Sequence, residues 1–369
     1  MNYYDVDKYL NMIGYNIQLP DNKRKEINDS YKSVAKYIGN NNDLVDDDID
    51  YSIYYQGSFA TDTVIRPIKG EDFDLDIVVE FALSKKEMTA NEFYKSFLDT
   101  FKDGRYEDMI EEYRNCVRIN YDSNYHFDIM PSVPTRANSR ALYVPDAKKR
   151  DWVIRSPKTF ADWFIAQTKK IKGYRISFTN TKRMLMESEI KPLKAKQPYE
   201  TTPTLVRVVQ LIKRIKDVFF SDYEGEREPQ SIVITTLAAK YYDGGYSVYE
   251  ALSNILLKMK QLYDRDKRFM VVNPSYSEEN FTEKWPRHVE YYENYSKFIN
   301  FAYSRIVDLP NPSKAKSAFR ALFGQSPFDK VLEDTKYDSF WNDASNIVKD
   351  NVFPNEQIKI NKKERGNAK

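Results

Sequence analysis

The sequence predicts an α+β protein of two lobes, a mixed sheet with helices followed by a helical C-terminal half. Three observations carry this. Between residues 51 and 130 short apolar runs alternate with polar residues at period two, the spacing of strands. From about residue 155 the apolar spacing changes to that of long helices with good start signals. The chain has 369 residues, 41% hydrophobic and 15% aromatic, which is enough apolar surface for about two domains and too much for a disordered chain.

Taken in order, Ile27, Tyr31, Val34, Ala35 and Ile38 lie at helical spacing after Pro20, so a long amphipathic helix opens the first lobe. Tyr51 to Tyr55 read as a strand that stops at Gly57. Phe73, Leu75, Ile77, Val79 and Phe81 alternate along a second strand, and residues 116–120 and 126–130 flank Asp122-Ser123-Asn124 as a hairpin. Ser156-Pro157 and Thr202-Pro203 then start helices, with further helices over 231–242, 248–263, 287–307 and 314–323. The plan is a sheet-containing core with its long N-terminal helix over 1–155, a helical domain over 156–355 and a basic, mobile tail over 356–369.

Composition excludes several classes. One cysteine, Cys116, rules out an internal disulfide framework, and His126 and His288 are too few for a zinc site built from Cys and His. Any metal chemistry must therefore run on carboxylates. No stretch of about 18 apolar residues occurs and the N-terminus lacks an apolar signal, so the expected location is the cytoplasm, with no membrane partner. A net charge of +2 argues against a general nucleic-acid coat. The charge is unevenly divided, however. Residues 39–80 hold eleven acids against Arg66 and Lys69, whereas 148–216 hold eighteen Lys or Arg against five acids. An acidic half facing a basic half suits metal ions held against polyphosphate.

The sharpest motif is QGSFATDTVIRPIKGEDFDLDIVVEF, residues 56–81. Period two puts Asp74 and Asp76 on one strand face, about 6.6 Å apart, so both carboxylates can converge on divalent cations. Asp72 shares that face, but only Asp74 and Asp76 have apolar neighbours on both sides. Asp128, between Phe127 and Ile129, points away from the core and completes a candidate two-metal site. Gly57 permits close approach of backbone to phosphate, and the Ser58 hydroxyl, with the following backbone N–H groups, can bind a triphosphate.

At these residues the sequence resembles the polymerase-β-like nucleotidyltransferases, a Gly-Ser turn followed by paired strand acids and a later strand Asp. More narrowly it resembles the CD-NTase family, bacterial relatives of cyclic GMP-AMP synthase and oligoadenylate synthase, through QGSFATDTVIRP, DFDLDIVV, FDIMPSVP, LIKRIKD, PQSIVITTLAAKYY and VVNPSYSEENFTEKW. The resemblance implies a bilobal architecture, two Mg²⁺ or Mn²⁺ ions, and synthesis of a cyclic di- or trinucleotide from ATP, GTP or other NTPs. It also implies antiphage signalling in which a downstream effector senses the product. It assigns metal binding and catalysis to Asp74, Asp76 and Asp128, and nucleotide contacts to Gln56, Gly57, Ser58, Lys213 and Ser231. Lys213 lies off the apolar stripe of its helix and Ser231 stands where it can cap the next one.

The basic stretch 148–216, with Trp152, Trp163, Tyr174 and Phe178 interleaved, suggests a surface for an RNA activator. His126 and His288 read as structural or surface groups, and Arg207 and Arg214 as neighbours outside the site. A linear-product or RNA-tailing enzyme, or an inactive nucleotide-binding relative, would share the same core. Three intact acids argue against the last, because buried acids without a metal are costly.

Overall fold

A computed structural model describes residues 3–331 apart from 43, 45–48, 69–71, 122–124, 137–139, 172–188, 194–197, 222–226, 326, 328 and 330. The tail over 356–369 and the turn Asp122-Ser123-Asn124 lie outside the described residues, as do Tyr174 and Phe178.

The chain opens with α1 (Tyr3–Asn16) and α2 (Asp21–Asn41), separated by Pro20. Sequence periodicity accounts for α2, whose buried stripe is Ile27, Tyr31, Val34, Ala35 and Ile38. The first lobe then runs through β1 (Tyr51–Tyr55), the single turn α3 (Gly57–Ala60), β2 (Phe73–Phe81) and α4 (Ala90–Asp99). A capping box between Thr89 and Glu92 starts α4. Next come β3 (Ile110–Glu112), β4 (Val117–Tyr121), β5 (Tyr125–Pro134), β6 (Leu142–Asp146) and β7 (Asp151–Arg155). The helical lobe follows with α5 (Pro157–Thr168), a return strand β8 (Glu189–Ile190), α6 (Thr204–Phe220), α7 (Ser231–Tyr241) and α8 (Val248–Arg265). It closes with β9 (Val272–Asn273), β10 (Tyr276–Asn280), α9 (Glu290–Ile306) and α10 (Pro312–Phe323).

The main sheet runs β3-β4-β5-β2-β1-β8, with β6 paired to β5 and β7 to β6. It is mixed: β2 lies antiparallel to β1 and parallel to β5. Its core joins the inward residues of α2, β1, β2, α4, β4 and β5, among them Ile53, Leu75, Phe97, Ile119 and Phe127. The second core belongs to the helices and includes Leu205, Ile212, Leu237, Leu252, Phe298 and Phe319. Helix α1 buries Val6, Leu10, Ile13 and Ile17 in this second core, so the start of the chain packs with its C-terminal half.

Two readings of the second half are corrected. It is not wholly helical, because β8 pairs in parallel with β1, and β9 and β10 form a hairpin through the Asn273-Pro274 turn. The hairpin is fixed by buried polar groups: Glu279 Oε2 accepts from Asn273 Nδ2 at 2.8 Å and from the Ser156 N–H at 3.0 Å. Among the described residues the basic stretch is also not one surface. Trp163 is buried in the helical core, Trp152 packs on Phe93, Arg207 bonds the Tyr199 and Glu200 carbonyls, and Lys216 pairs with Glu228. These rings and cations are committed to packing rather than turned to a polyanion. Among the described residues no helix is long and apolar enough to cross a membrane.

Candidate active site

Strand register assembles the site. The parallel pairing of β2 with β5 sets Asp76 beside Asp128 and Asp74 beside His126. On the other side of β5, antiparallel β4 sets Arg118 opposite Asp128. Neighbouring strands lie about 4.8 Å apart, so paired residues stand side by side on one sheet face. The row therefore reads Arg118, Asp128, Asp76, with His126 and Asp74 as a second row. Arg118 grips Asp128 through two bonds, Nε to Oδ1 at 2.7 Å and Nη2 to Oδ2 at 2.8 Å. The His126 imidazole closes on the Asp74 carboxylate.

Gly57 follows from the same geometry. The Gln56 N–H donates to the Asp76 carbonyl at 2.8 Å, which brings the turn after β1 directly over Asp76. Gly57 takes φ of 60°, and a Cβ there would run into Asp76 Oδ2. Only glycine meets both demands without strain.

The facing wall comes from the helical lobe. Gly57, Ser58, Asp72, Asp74 and Asp76 share a cleft of about 290 Å³ with Lys213 and Asp217 of α6, Ser231 and Thr235 of α7, and Phe160 of α5. Lys213 Nζ donates to the Thr63 carbonyl at 3.1 Å. Arg214 instead bonds the Arg66 carbonyl, and Arg207 turns to Asn11 and the Tyr199 loop, and neither lines the cleft. Gln56 borders an adjoining pocket with Arg155, Asn273 and Glu279 that also reaches Gly57 and Asp76. Ser231 is corrected in one respect. The N-cap of α7 is Gln230 and Ser231 is the first helical residue, so it lines the cleft without capping the helix.

Burial and like charges dominate the electrostatics. Asp76 is pushed up to about 7 by burial and then by Asp74 and Asp128, with Lys213 and His126 opposing. Burial also acts on Asp74, but the hydrogen bond and charge of His126, with Arg118 and Lys213, hold its carboxyl below the usual range. Burial depresses the Lys213 ammonium against the pull of Asp217, Asp76 and Asp74.

This donor set fits a divalent cation in its chemistry. The Asp76 carboxylate has no hydrogen-bond donor among the described residues and stands between two further acids, an arrangement of oxygens that a cation would stabilise. It is not a closed cage: among the described residues no three ligating side chains converge on one point, and Arg118 holds both Asp128 oxygens. Sequence reading missed Arg118, His126, Asp217 and Thr235. Asp217 was legible as the i+4 neighbour of Lys213 on a helix. The role of Arg118 and His126 depends on register, which no local pattern supplied.

A mixed sheet that presents Asp74 and Asp76 to a cleft roofed by helices, with Asp128 beside Asp76 in the sheet but outside the cleft lining, has the arrangement of a nucleotidyltransferase. Residues 5–167 match the Second Messenger Oligonucleotide or Dinucleotide Synthetase domain, SMODS. The chain is 26% identical over 324 residues to a c-di-GMP synthase of Roseivirga ehrenbergii, covering 86% of this chain and 83% of that one. It is 22% identical over 314 residues to the cyclic dinucleotide synthase CdnG of Bradyrhizobium diazoefficiens, covering 80% and 74%. The solved structure of that CdnG in complex with GTP matches in fold, with a TM-score of 0.70 at 20% identity over 89% of this chain and 98% of that one.

Proposed function

We propose that the chain joins NTPs, GTP among them, into a cyclic dinucleotide, with Asp74, Asp76 and Asp128 as the catalytic acids. The observation that carries this is the shared cleft, in which Asp74 and Asp76 on the sheet face Lys213 and Ser231 on the helices across Gly57 and Ser58. The names of the two curated relatives support the cyclic dinucleotide and its guanine base.

Asp74 and Asp76 would hold two Mg²⁺ or Mn²⁺ ions, which when bound activate the acceptor hydroxyl and neutralise the triphosphate. Ser58 offers its hydroxyl to the phosphates, and Lys213, half-buried in the cleft wall, brings a positive charge to them. Ser231 adds a second hydroxyl from the opposite wall. Asp128 orients the acceptor ribose hydroxyl, for which it must share or release the Arg118 guanidinium. The pocket bordered by Gln56, Arg155, Asn273 and Glu279 adjoins Asp76 and gives room for the second nucleotide. Signalling in antiphage defence, with an effector that reads the product, is the setting we infer, and the cytoplasm, where NTPs are made, is the location we propose.

The test is incubation of purified protein with all four NTPs and Mg²⁺ or Mn²⁺, with and without RNA, then phosphatase treatment and mass spectrometry. A phosphatase-resistant cyclic product, absent with Asp74→Ala/Asp76→Ala protein, is the expected result. Exclusively linear products would overturn ring closure, and full activity after nuclease treatment, unchanged by added RNA, would remove the RNA activator.

A further inference from the structure

A second cavity, of about 630 Å³, lies where the turns beyond β3 and β6 meet the helical lobe, and none of its lining residues lines the catalytic cleft. We infer that it is a binding site for a phosphorylated nucleotide, separate from the catalytic centre, with the phosphates on Lys148, Lys284 and Arg287 and the base against Tyr113.

Charge is the first argument. The β6–β7 turn contributes Lys148 and Lys149, and the β3–β4 connection contributes Arg114. From the helical lobe come Lys284, Arg287 and His288, while Glu112 and Glu283 are the acids of the lining. Two of these cations are already matched. Arg114 Nε bonds the buried Asp146 carboxylate at 2.7 Å, and Lys149 pairs with Glu283 at 3.3 Å across the two lobes. Lys148, Lys284 and Arg287 have no ion-pair partner among the described residues, and they face one concavity. Cations gathered around a concave wall repel one another and focus a positive potential that a multiply charged anion relieves.

Rigidity is the second argument. Lys284 and Arg287 flank Trp285, which is fully buried, donates from Nε1 to Gln230 Oε1 at 2.9 Å and stacks on Tyr291 at 9°. Lys148 lies in a turn whose N–H groups at residues 148 and 149 donate to Asp146 Oδ1 at 3.1 and 3.0 Å. The cations are thus presented from fixed backbone, which lowers the entropic cost of binding.

Tyr113 supplies the third. Its ring is 37% exposed, enough to offer a surface, and Arg118 stacks on it 4.3 Å from the centroid. A base laid on an exposed aromatic ring gains about 1–3 kcal/mol by stacking. Convergence of the cations on one half-open concavity favours a single nucleotide over a long RNA, which needs a continuing basic track.

The test uses full-length Asp74→Ala/Asp76→Ala protein in EDTA, which disables metal-dependent binding at the catalytic cleft. Labelled GTP, ATP and cyclic di-GMP serve as probes, with inorganic tripolyphosphate as competitor. Saturable binding of at least one nucleotide is the expected result, at least tenfold weaker in the same protein carrying Lys284→Ala/Arg287→Ala and weaker again with Tyr113→Ala, at unchanged melting temperature. GTP or ATP binding marks a substrate-type ligand and cyclic di-GMP binding a product-type one. No saturable binding, binding unaffected by Lys284→Ala/Arg287→Ala, or binding confined to RNA of 20 or more nucleotides would overturn the inference. Melting temperatures in high salt verify that the variants are folded.

Discussion

Asp76 shows how far a side chain is set against stability for the sake of a site. It is half-buried beside two acids with its carboxyl pushed up to about 7, which is a cost carried by the folded protein. Asp76→Asn is therefore expected to raise the melting temperature in EDTA, a gain of about 1 to 3 kcal/mol, while abolishing product formation. Mg²⁺ should stabilise the wild type and leave the variant unchanged, read by thermal shift. Gly57 makes the complementary prediction. Gly57→Ala forces a Cβ against Asp76 at positive φ, so activity should fall at least 100-fold and stability by about 1 to 3 kcal/mol, measured by turnover and denaturant melts. Both residues were legible in the sequence because their spacing is local. Arg118 and His126 were not, because their partners lie on other strands and are chosen by register.

At the scale of elements, the β6–β7 hairpin depends on one buried acid. Burial alone would raise the Asp146 carboxyl, but the Arg114 guanidinium and the N–H groups of Lys149 and Lys148 outweigh it and hold it below the usual range. A lowered acid stabilises the fold fully above its unfolded value near 4, and that contribution is lost as pH falls through the lower folded value. Asp146→Asn should thus cost about 2 to 3 kcal/mol at pH 7, and the gap to wild type should narrow below about pH 4, followed by urea melts across pH. This hairpin was invisible in the sequence reading, as were β8 and the β9–β10 hairpin. Their strands span two to five residues, too short for a period to register, and they are held by tertiary polar contacts such as Glu279 with Asn273 and Ser156. The long helices were legible because apolar stripes and Ser-Pro or Thr-Pro starts extend over several turns.

For the whole molecule, the two cores are interleaved in chain order. Helix α1 packs in the helical core, α2 to β7 build the sheet core, α5 returns to the helices, β8 rejoins β1, and α6 onward complete the helical lobe. With this many crossings the lobes should unfold together. Leu10→Ala, in the first helix, is expected to cost about 2 to 5 kcal/mol and to lower the transition of both lobes, with circular dichroism and tryptophan fluorescence coinciding. Sequence reading predicted no helix over 3–16 and assigned those residues to the sheet lobe by chain position alone, since local pattern does not show which core a segment packs against.

The same interleaving limits how such a protein can be rearranged in evolution or in the laboratory. The helical lobe is not a cassette: its pieces lie at 3–16, at 157–168 and from 204 onward, with sheet-lobe segments between them. A single crossover near residue 156 between two relatives would graft a foreign α1 into the helical core it must help to fill. Exchange of the roof over the cleft therefore requires four coordinated joins, so substrate choice is more readily altered by substitutions along the cleft than by recombination of its halves.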